Sequence, residues 1–219
     1  GGDPVGQRMF MWGGTPNGMV TAPGLFALDL ERGCARWIFP ADAEVRSAVT
    51  VTREGASAAA YFGDFAGNVY RVDARTGALQ WRTSLDDHPA LTITGSPRHY
   101  DGRLFVPMSS TEWASAADPG YSCCTFRGGV VALSAQTGER LWKTHSIPEE
   151  PEPSGSKNAL GTPLLAPSGA PVWNSPTIDA RRGLLYVGTG ESYTSPAHRN
   201  SDSVLAMDLE TGELRWSYQ

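Results

Sequence analysis

The chain has 219 residues and a net charge of −5, with 40% hydrophobic and 19% charged residues. That is long enough to bury a sizeable core in one or two domains. The acidic balance and the absence of a basic stripe argue against a nucleic-acid partner, and no apolar run approaches the ~20 residues of a membrane helix. Twenty-five glycines, 16 prolines and 10% aromatics point to many short strands and tight turns, and no long stretch repeats apolar residues at helical spacing. The chain opens on Gly1-Gly2-Asp3-Pro4 without a methionine, so the lack of a visible signal peptide carries no information. Cys34, Cys123 and Cys124 form no C-x-x-C, and His88, His99, His145 and His198 are scattered. A zinc site, a haem attachment site and a metalloprotease motif are therefore all missing from the sequence.

In chain order, one unit recurs. Ala27-Leu28-Asp29 leads through Gly33 to Trp37. Val72-Asp73 leads through Thr76-Gly77 to Trp81, Ala132-Leu133-Ser134 through Thr137-Gly138 to Trp142, and Ala206-Met207-Asp208 through Thr211-Gly212 to Trp216. The pattern is A-x-D-x-x-T-G-x-x-x-W. Its chemistry is a strand ending on an aspartate that can bond turn amides, a glycine free to take positive φ, and a second strand ending on a large ring for packing. Further strands are expected upstream at Ala60-Tyr61-Phe62, Arg103–Val106 and Leu184–Val187, and before them at Ser47–Val51, Gly95-Ser96-Pro97 and Asn174–Ile178. Four strands per unit make a propeller blade. The blades read as 1–40, 44–83, 92–144 and 171–218, with insertions at 109–128 and 147–170. The second insertion is rich in Pro, Glu, Ser and Gly and reads as a long surface loop, where function tends to sit.

The repeat resembles that of the dehydrogenases dependent on pyrroloquinoline quinone (PQQ), and the resemblance covers essentially the whole chain. It implies an all-β fold, a β-propeller of eight blades with the cofactor at the central axis, of which these four would be about half. The strings DDHPALTITGSP (86–97), CCTFRGGVVAL (123–133), PEEPEP (148–153), GAPVWNSPTID (169–179) and GLLYVGTGESYTSP (183–196) are most similar to the polyvinyl alcohol dehydrogenases of that superfamily.

The resemblance implies a site residue by residue. PQQ is a flat tricarboxylated o-quinone. Arg46 matches the arginine that opens the second blade, and a guanidinium suits a carboxylate. Thr94 matches the cofactor-binding threonine, and Ser109 and Ser110 match the small-residue turn beside the cofactor. Trp173 matches the stacking tryptophan and lies outside the repeat's own tryptophans. Cys123-Cys124 resembles the adjacent-cysteine disulfide that covers the other ring face, but the family's pair precedes the Arg46 position and this one lies a blade later. Consecutive Cα atoms are ~3.8 Å apart, below the usual disulfide range, so such a ring is strained and needs an oxidising compartment. Cys34 is left over and reads as structural. Calcium takes oxygen ligands; Glu112 and Glu191 occupy the family's ligand positions, Glu191 in place of an asparagine.

The implied activity is PQQ- and calcium-dependent oxidation of secondary alcohols, polyvinyl alcohol among them, with electrons passed to a cytochrome c and a periplasmic or secreted location. The family's catalytic aspartate would lie beyond Gln219, so no catalytic residue is expected in this chain and the stretch alone is expected to be inactive. An early glutamate of the first blade has no clear match. Two other readings compete: a non-catalytic propeller scaffold for protein assembly, which has no need of Arg46, Thr94, Trp173 and a cysteine pair together, and a propeller sugar dehydrogenase, which does not explain the Cys123-Cys124 insertion.

Overall fold

The computed structural model describes residues 8–13, 23–55 and 57–219. It is built of antiparallel strands. β1 (Arg8–Gly13), β2 (Gly24–Asp29) and β3 (Ala35–Pro40) form the first sheet. β4 (Thr50–Glu54), β5 (Ser57–Gly63), β6 (Asn68–Asp73) and β7 (Leu79–Ser84) form the second. In the third, β9 (Arg98–Tyr100), β10 (Arg103–Ser110), β11 (Gly129–Ser134) and β12 (Arg140–His145) are joined by β8 (Leu91–Thr92), which pairs with the far end of β10. β15 (Thr177–Asp179), β16 (Leu184–Gly188), β17 (Val204–Asp208) and β18 (Leu214–Tyr218) form the fourth. The insertion 147–170 is not a plain loop: β13 (Glu152–Lys157) and β14 (Pro163–Ala166) make a hairpin within it. In 109–128, a short helix α1 (Glu112–Ser115) follows β10.

The sheets stack face on face, and strand alternation decides which neighbour each side chain meets. In β10, Leu104 and Val106 join a core with Tyr61, Val69 and Trp81 of the second sheet, while Phe105 between them joins Leu185, Leu205 and Met207 of the fourth. In β5, Phe62 packs with Leu25 and Tyr70, and Tyr61 with the third sheet's Leu104. Inner strands buried on both faces read in sequence as continuous apolar runs, which is why β5 and β10 look unbroken rather than alternating.

The repeat staples each blade to the next. Asp29, Asp73 and Asp208 each accept two turn amides through Oδ1, and Ser134 accepts one. The Arg215 guanidinium first, then the Thr211 amide, hold the Asp208 carboxyl down at about 2. The indole N–H of Trp37, Trp81 and Trp142 donates to the carbonyl of Ala74, Ala135 and Leu209, which follow the turn aspartate or serine of the next blade. Gly77, Gly138 and Gly212 press on those same indoles. Trp216, last in the series, is 45% exposed.

A second seam runs along the sheet edge formed by β4, β9 and β15. The Ala48 amide donates to Ser96 Oγ at 3.0 Å, and the Ser96 amide donates to Ser175 Oγ at 2.9 Å. These contacts explain why the first strands start later than the sequence suggests. Residues 47–48, 95–96 and 174–175 turn their polar groups to the neighbouring blade or to capping their own sheet, so the ladders begin at Thr50, Arg98 and Thr177. Ser47 Oγ accepts the Gly63 amide and Asn174 Oδ1 accepts the Gly188 amide, each at 3.0 Å. The register-equivalent position of the third sheet is Pro107, which has no N–H to cap, and the matching residue there is Gly95. Cys34 is exposed in the first sheet's turn, so it is not a core residue. The expected early glutamate of the first blade falls outside the described residues.

Candidate functional site

Arg46, Thr94 and Trp173 each stand two residues before the inter-blade contacts of Ala48, Ser96 and Ser175. Three successive blades thus present equivalent positions along one rim, carrying a guanidinium, a hydroxyl and an indole. Arg46 is half exposed, sits over the Phe65 ring at 4.2 Å, and gives Nε and Nη2 to Glu44 at 2.9 and 2.7 Å. An incoming carboxylate would share it with Glu44 and meet Nη1 first. Trp173 is 37% exposed. A Cβ added at Gly190 would stand 2.8 Å from Trp173 Nε1, so glycine there lets the indole edge lie against the loop. A part-exposed indole and a guanidinium two blades away are the kinds of group that a flat polycarboxylate would need.

Beneath the rim, Thr94 and Ser109 are brought together. Thr94 Oγ1 lies 2.9 Å from Ser109 Oγ, which also donates to the Thr92 carbonyl at 2.9 Å. Ser109 and Ser110 are fully buried, and Ser110 Oγ accepts the Glu112 amide at 2.8 Å. The pairing of β8 with the end of β10 creates this contact.

Glu112 is fully buried and already satisfied. Its Oε1 accepts the Tyr121 hydroxyl at 2.8 Å, the Thr125 amide at 2.7 Å and the Thr125 hydroxyl at 3.2 Å, while Oε2 accepts the Phe126 amide at 2.8 Å. His88 extends the network. Its Nδ1 accepts the Ala90 amide at 3.1 Å, which fixes the proton on Nε2, 2.9 Å from Thr125 Oγ1. This is the geometry of a clamp on residues 121–126, and it leaves one lone-pair direction on Oε2. Between the clamped residues, Cys123 and Cys124 form a disulfide across a cis peptide, with Cα atoms 3.0 Å apart rather than at the trans spacing. Cys124 is buried, and Leu165 of β14 pairs with the cysteines through N–H to Cys123 O at 2.8 Å and O to Cys124 N–H at 3.3 Å.

Calcium binds six to eight oxygens. Glu191 is exposed, whereas Glu112, held by four donors, has only the remaining Oε2 lone pair to offer. Among the described residues no three Asp, Glu, His or Cys side chains gather as a metal site. Of the two glutamates, Glu191 is the exposed one that could give a calcium ion an oxygen. The Tyr193 hydroxyl is buried without a hydrogen-bond partner among the described residues, and burial chiefly, then the charges of Glu191 and Glu112, pushes its ionisation up. Tyr193, Tyr121, Thr125 and His88 are not legible in the sequence as site residues. Tyr121 and Thr125 are placed by the path of the 109–128 insertion, and His88 and Tyr193 by loops between strands, none of which the repeat spacing encodes.

A polar cleft beside the clamp is bordered by His88, Lys143 and His145. Burial first, then the nearby Arg127 and Lys143 charges, lower the pKa of His145. A depressed folded-state pKa means the unfolded chain takes the proton first, so stability is full above about 6.5 and falls as pH drops below it. NMR titration is expected to place the His145 midpoint below that of a free imidazole; a midpoint at or above about 6.5 overturns this.

Residues 19–219 match the family described as "Glucose/ethanol/alcohol dehydrogenase, beta-propeller domain", named PQQ. The chain belongs to this family. It is 41% identical over 96% of its length to a polyvinylalcohol dehydrogenase from Pseudomonas sp, and 40% identical over 96% to one from Sphingopyxis sp.. It is 31% identical over 73% to the quinohemoprotein alcohol dehydrogenase of Comamonas testosteroni. The chain spans about a third of the length of the two polyvinylalcohol dehydrogenases, 35% and 34%. In fold it is similar to quinohemoprotein alcohol dehydrogenase ADHIIG from Pseudomonas putida, with a TM-score of 0.72 at 23% identity, covering 98% of this chain and 33% of that one. A weaker likeness, TM-score 0.55 at 16% identity over 98% of this chain and 49% of that one, is to BamB from Moraxella catarrhalis. The resemblance to the PQQ dehydrogenases and the all-β propeller class drawn from the repeat are both borne out.

Proposed function

We propose that the protein carrying this chain is a PQQ- and calcium-dependent dehydrogenase of secondary alcohols, polyvinyl alcohol or a similar polymer among them, passing electrons to a cytochrome c in the periplasm or outside the cell. One observation carries the reading: Arg46, Thr94 and Trp173 occupy equivalent places on three successive blades, where a propeller scaffold has no use for that combination. The 41% identity to a polyvinylalcohol dehydrogenase supports the substrate class. Among the described residues no helix is long and apolar enough to cross a membrane.

In this reading the Arg46 guanidinium takes a cofactor carboxylate, Thr94 with Ser109 and Ser110 line its edge, Trp173 covers one ring face, and the Cys123–Cys124 disulfide closes over the other. Glu191 supplies a calcium oxygen, and Glu112 supports the cysteine turn while offering Oε2. The bound quinone supplies a two-electron acceptor and calcium a Lewis acid. The residues here orient and enclose; none of them is assigned the base.

The test uses the full-length protein with PQQ and calcium. Trp173→Ala is expected to weaken PQQ binding, read by fluorescence quenching, on the order of tenfold or more, because the indole contributes both buried area and stacking. Dye-linked oxidation of secondary alcohols should fall with it and should vanish on chelating calcium. A folded full-length protein that binds no PQQ and oxidises no alcohol would promote the scaffold reading instead.

A further inference from the structure

A cavity of about 200 Å³ opens against the cysteine pair, between the insertion hairpin and the loop after β16. β14 gives it Leu164, Leu165 and Ala166. β13 gives Ser154 and Ser156, two residues apart and so on one face of the strand. The third wall is Tyr193, Thr194 and Ser195, with Cys123 between.

Two features set this cavity apart. First, among the described residues no charged side chain lines it, whereas two other clefts are lined by Asp86, Lys143 and Glu150, and by Glu149, His198 and Arg199. Its polar groups are neutral hydroxyls. Ser154 donates to the Leu164 carbonyl at 3.0 Å, and Thr194 Oγ1 accepts the Ser168 amide at 3.3 Å. Ser156 and Ser195 have hydroxyls with no protein partner among the described residues. Aliphatic walls with free hydroxyls on them match a ligand that is itself an aliphatic chain bearing hydroxyls, and disfavour acids, amines and phosphates, which would be desolvated without a counter-charge. Second, the cavity adjoins the candidate site: Cys123 of the disulfide lies in its wall, and Leu165 beside it is hydrogen-bonded to both cysteines.

We propose that this cavity is a subsite for a neutral polyhydroxylated aliphatic chain, holding the segment of a polymeric alcohol that flanks the carbinol to be oxidised. The proposal rests on the alcohol dehydrogenase reading and adds where the polymer is gripped. The insertion hairpin is then a specificity element, absent from the repeat because the blade does not need it to fold.

Leu164→Glu places a charge in the cavity without touching the clamp or the rim, and Ser156→Ala with Ser195→Ala removes the free hydroxyls. In the full-length protein, kcat/KM for a vinyl alcohol oligomer of about ten units is expected to fall on the order of tenfold or more in Leu164→Glu, in line with what pocket contacts discriminate. The same ratio for 2-propanol, too short to reach the hairpin, should stay within about twofold. Equal losses on both substrates, or none on either, overturn the subsite. If the wild type oxidises neither alcohol, the enzyme reading fails separately. Saturation-transfer NMR of the oligomer on the cofactor-free protein then decides: a transfer signal that Leu164→Glu abolishes sustains the subsite, and a signal that is missing from the wild type or unchanged in the variant refutes it.

Discussion

Glu112→Ala is expected to lower the stability of the full-length protein by about 3 kcal/mol or more and to loosen the cysteine turn. Four donors converge on this carboxylate in a site closed to water: the Thr125 and Phe126 amides and the Tyr121 and Thr125 hydroxyls. Each buried donor left unsatisfied costs roughly 1–3 kcal/mol, partly recovered where water can enter. The two amides cannot turn away, because they belong to the segment that carries the disulfide and pairs with Leu165. Glu112→Gln keeps the shape but offers an N–H where a donor already points, so an intermediate loss is expected. Urea denaturation in excess chelator reads the effect. A clamp acts with or without metal, so the loss should persist when calcium is removed. A loss under about 1 kcal/mol in chelator, appearing only with calcium present, would return Glu112 to the role of metal ligand. Faster reduction of the disulfide in Glu112→Ala, followed by mass spectrometry, should accompany the loss.

What could be read in the sequence and what could not divide along a physical line. The Asp-Thr-Gly-Trp unit is legible because each of its residues does one local job and one job for the next blade, and the spacing between those jobs is fixed by strand geometry. Trp81 meets Ala135 and Gly138 in the third sheet as Trp37 meets Ala74 and Gly77 in the second. Arg46, Thr94 and Trp173 are read from the family resemblance rather than from the repeat, and each stands two residues before an inter-blade contact. The insertions obey no such repeat. Glu112 reads as a metal ligand from its place after Ser110, but its surroundings come from Tyr121, Thr125 and Phe126, whose approach depends on how the loop folds back. The hairpin β13–β14 reads as loop in the sequence because its composition, Glu152-Pro153-Ser154-Gly155-Ser156-Lys157, lacks the apolar alternation of a core strand. All six of those residues are exposed, so no buried face writes a pattern into the sequence.

The same logic makes Gly138→Ala a severe substitution. Gly138 sits at φ +75°, and a Cβ there would stand 2.7 Å from Trp81 ring carbons and 2.8 Å from Thr83 Oγ1. Two costs add. The positive φ alone disfavours any side chain by about 1 kcal/mol. The overlap then forces Trp81 off Gly138, which breaks the indole hydrogen bond to Ala135 at 3.1 Å and the Thr83 hydroxyl bond to Gly138 at 2.8 Å, and opens the core shared by Tyr61, Leu104 and Val106. Overpacking of this kind costs roughly 1–3 kcal/mol, so a total near 3 kcal/mol is expected. Gly102→Ala is the control. It has φ +71° with nothing within 4 Å of the added carbon, so it carries the backbone cost alone, about 1 kcal/mol. Thermal and urea unfolding of the two variants in the full-length protein should therefore differ by about 2 kcal/mol. Equal losses would mean that the tryptophan seam yields without resistance and that the blades are held by their apolar faces instead. The extra loss of about 2 kcal/mol in Gly138→Ala, with Trp81 fluorescence shifted to the red, would identify the ring-on-glycine contact as the joint between blades, and the repeat's fixed spacing as the consequence of that joint.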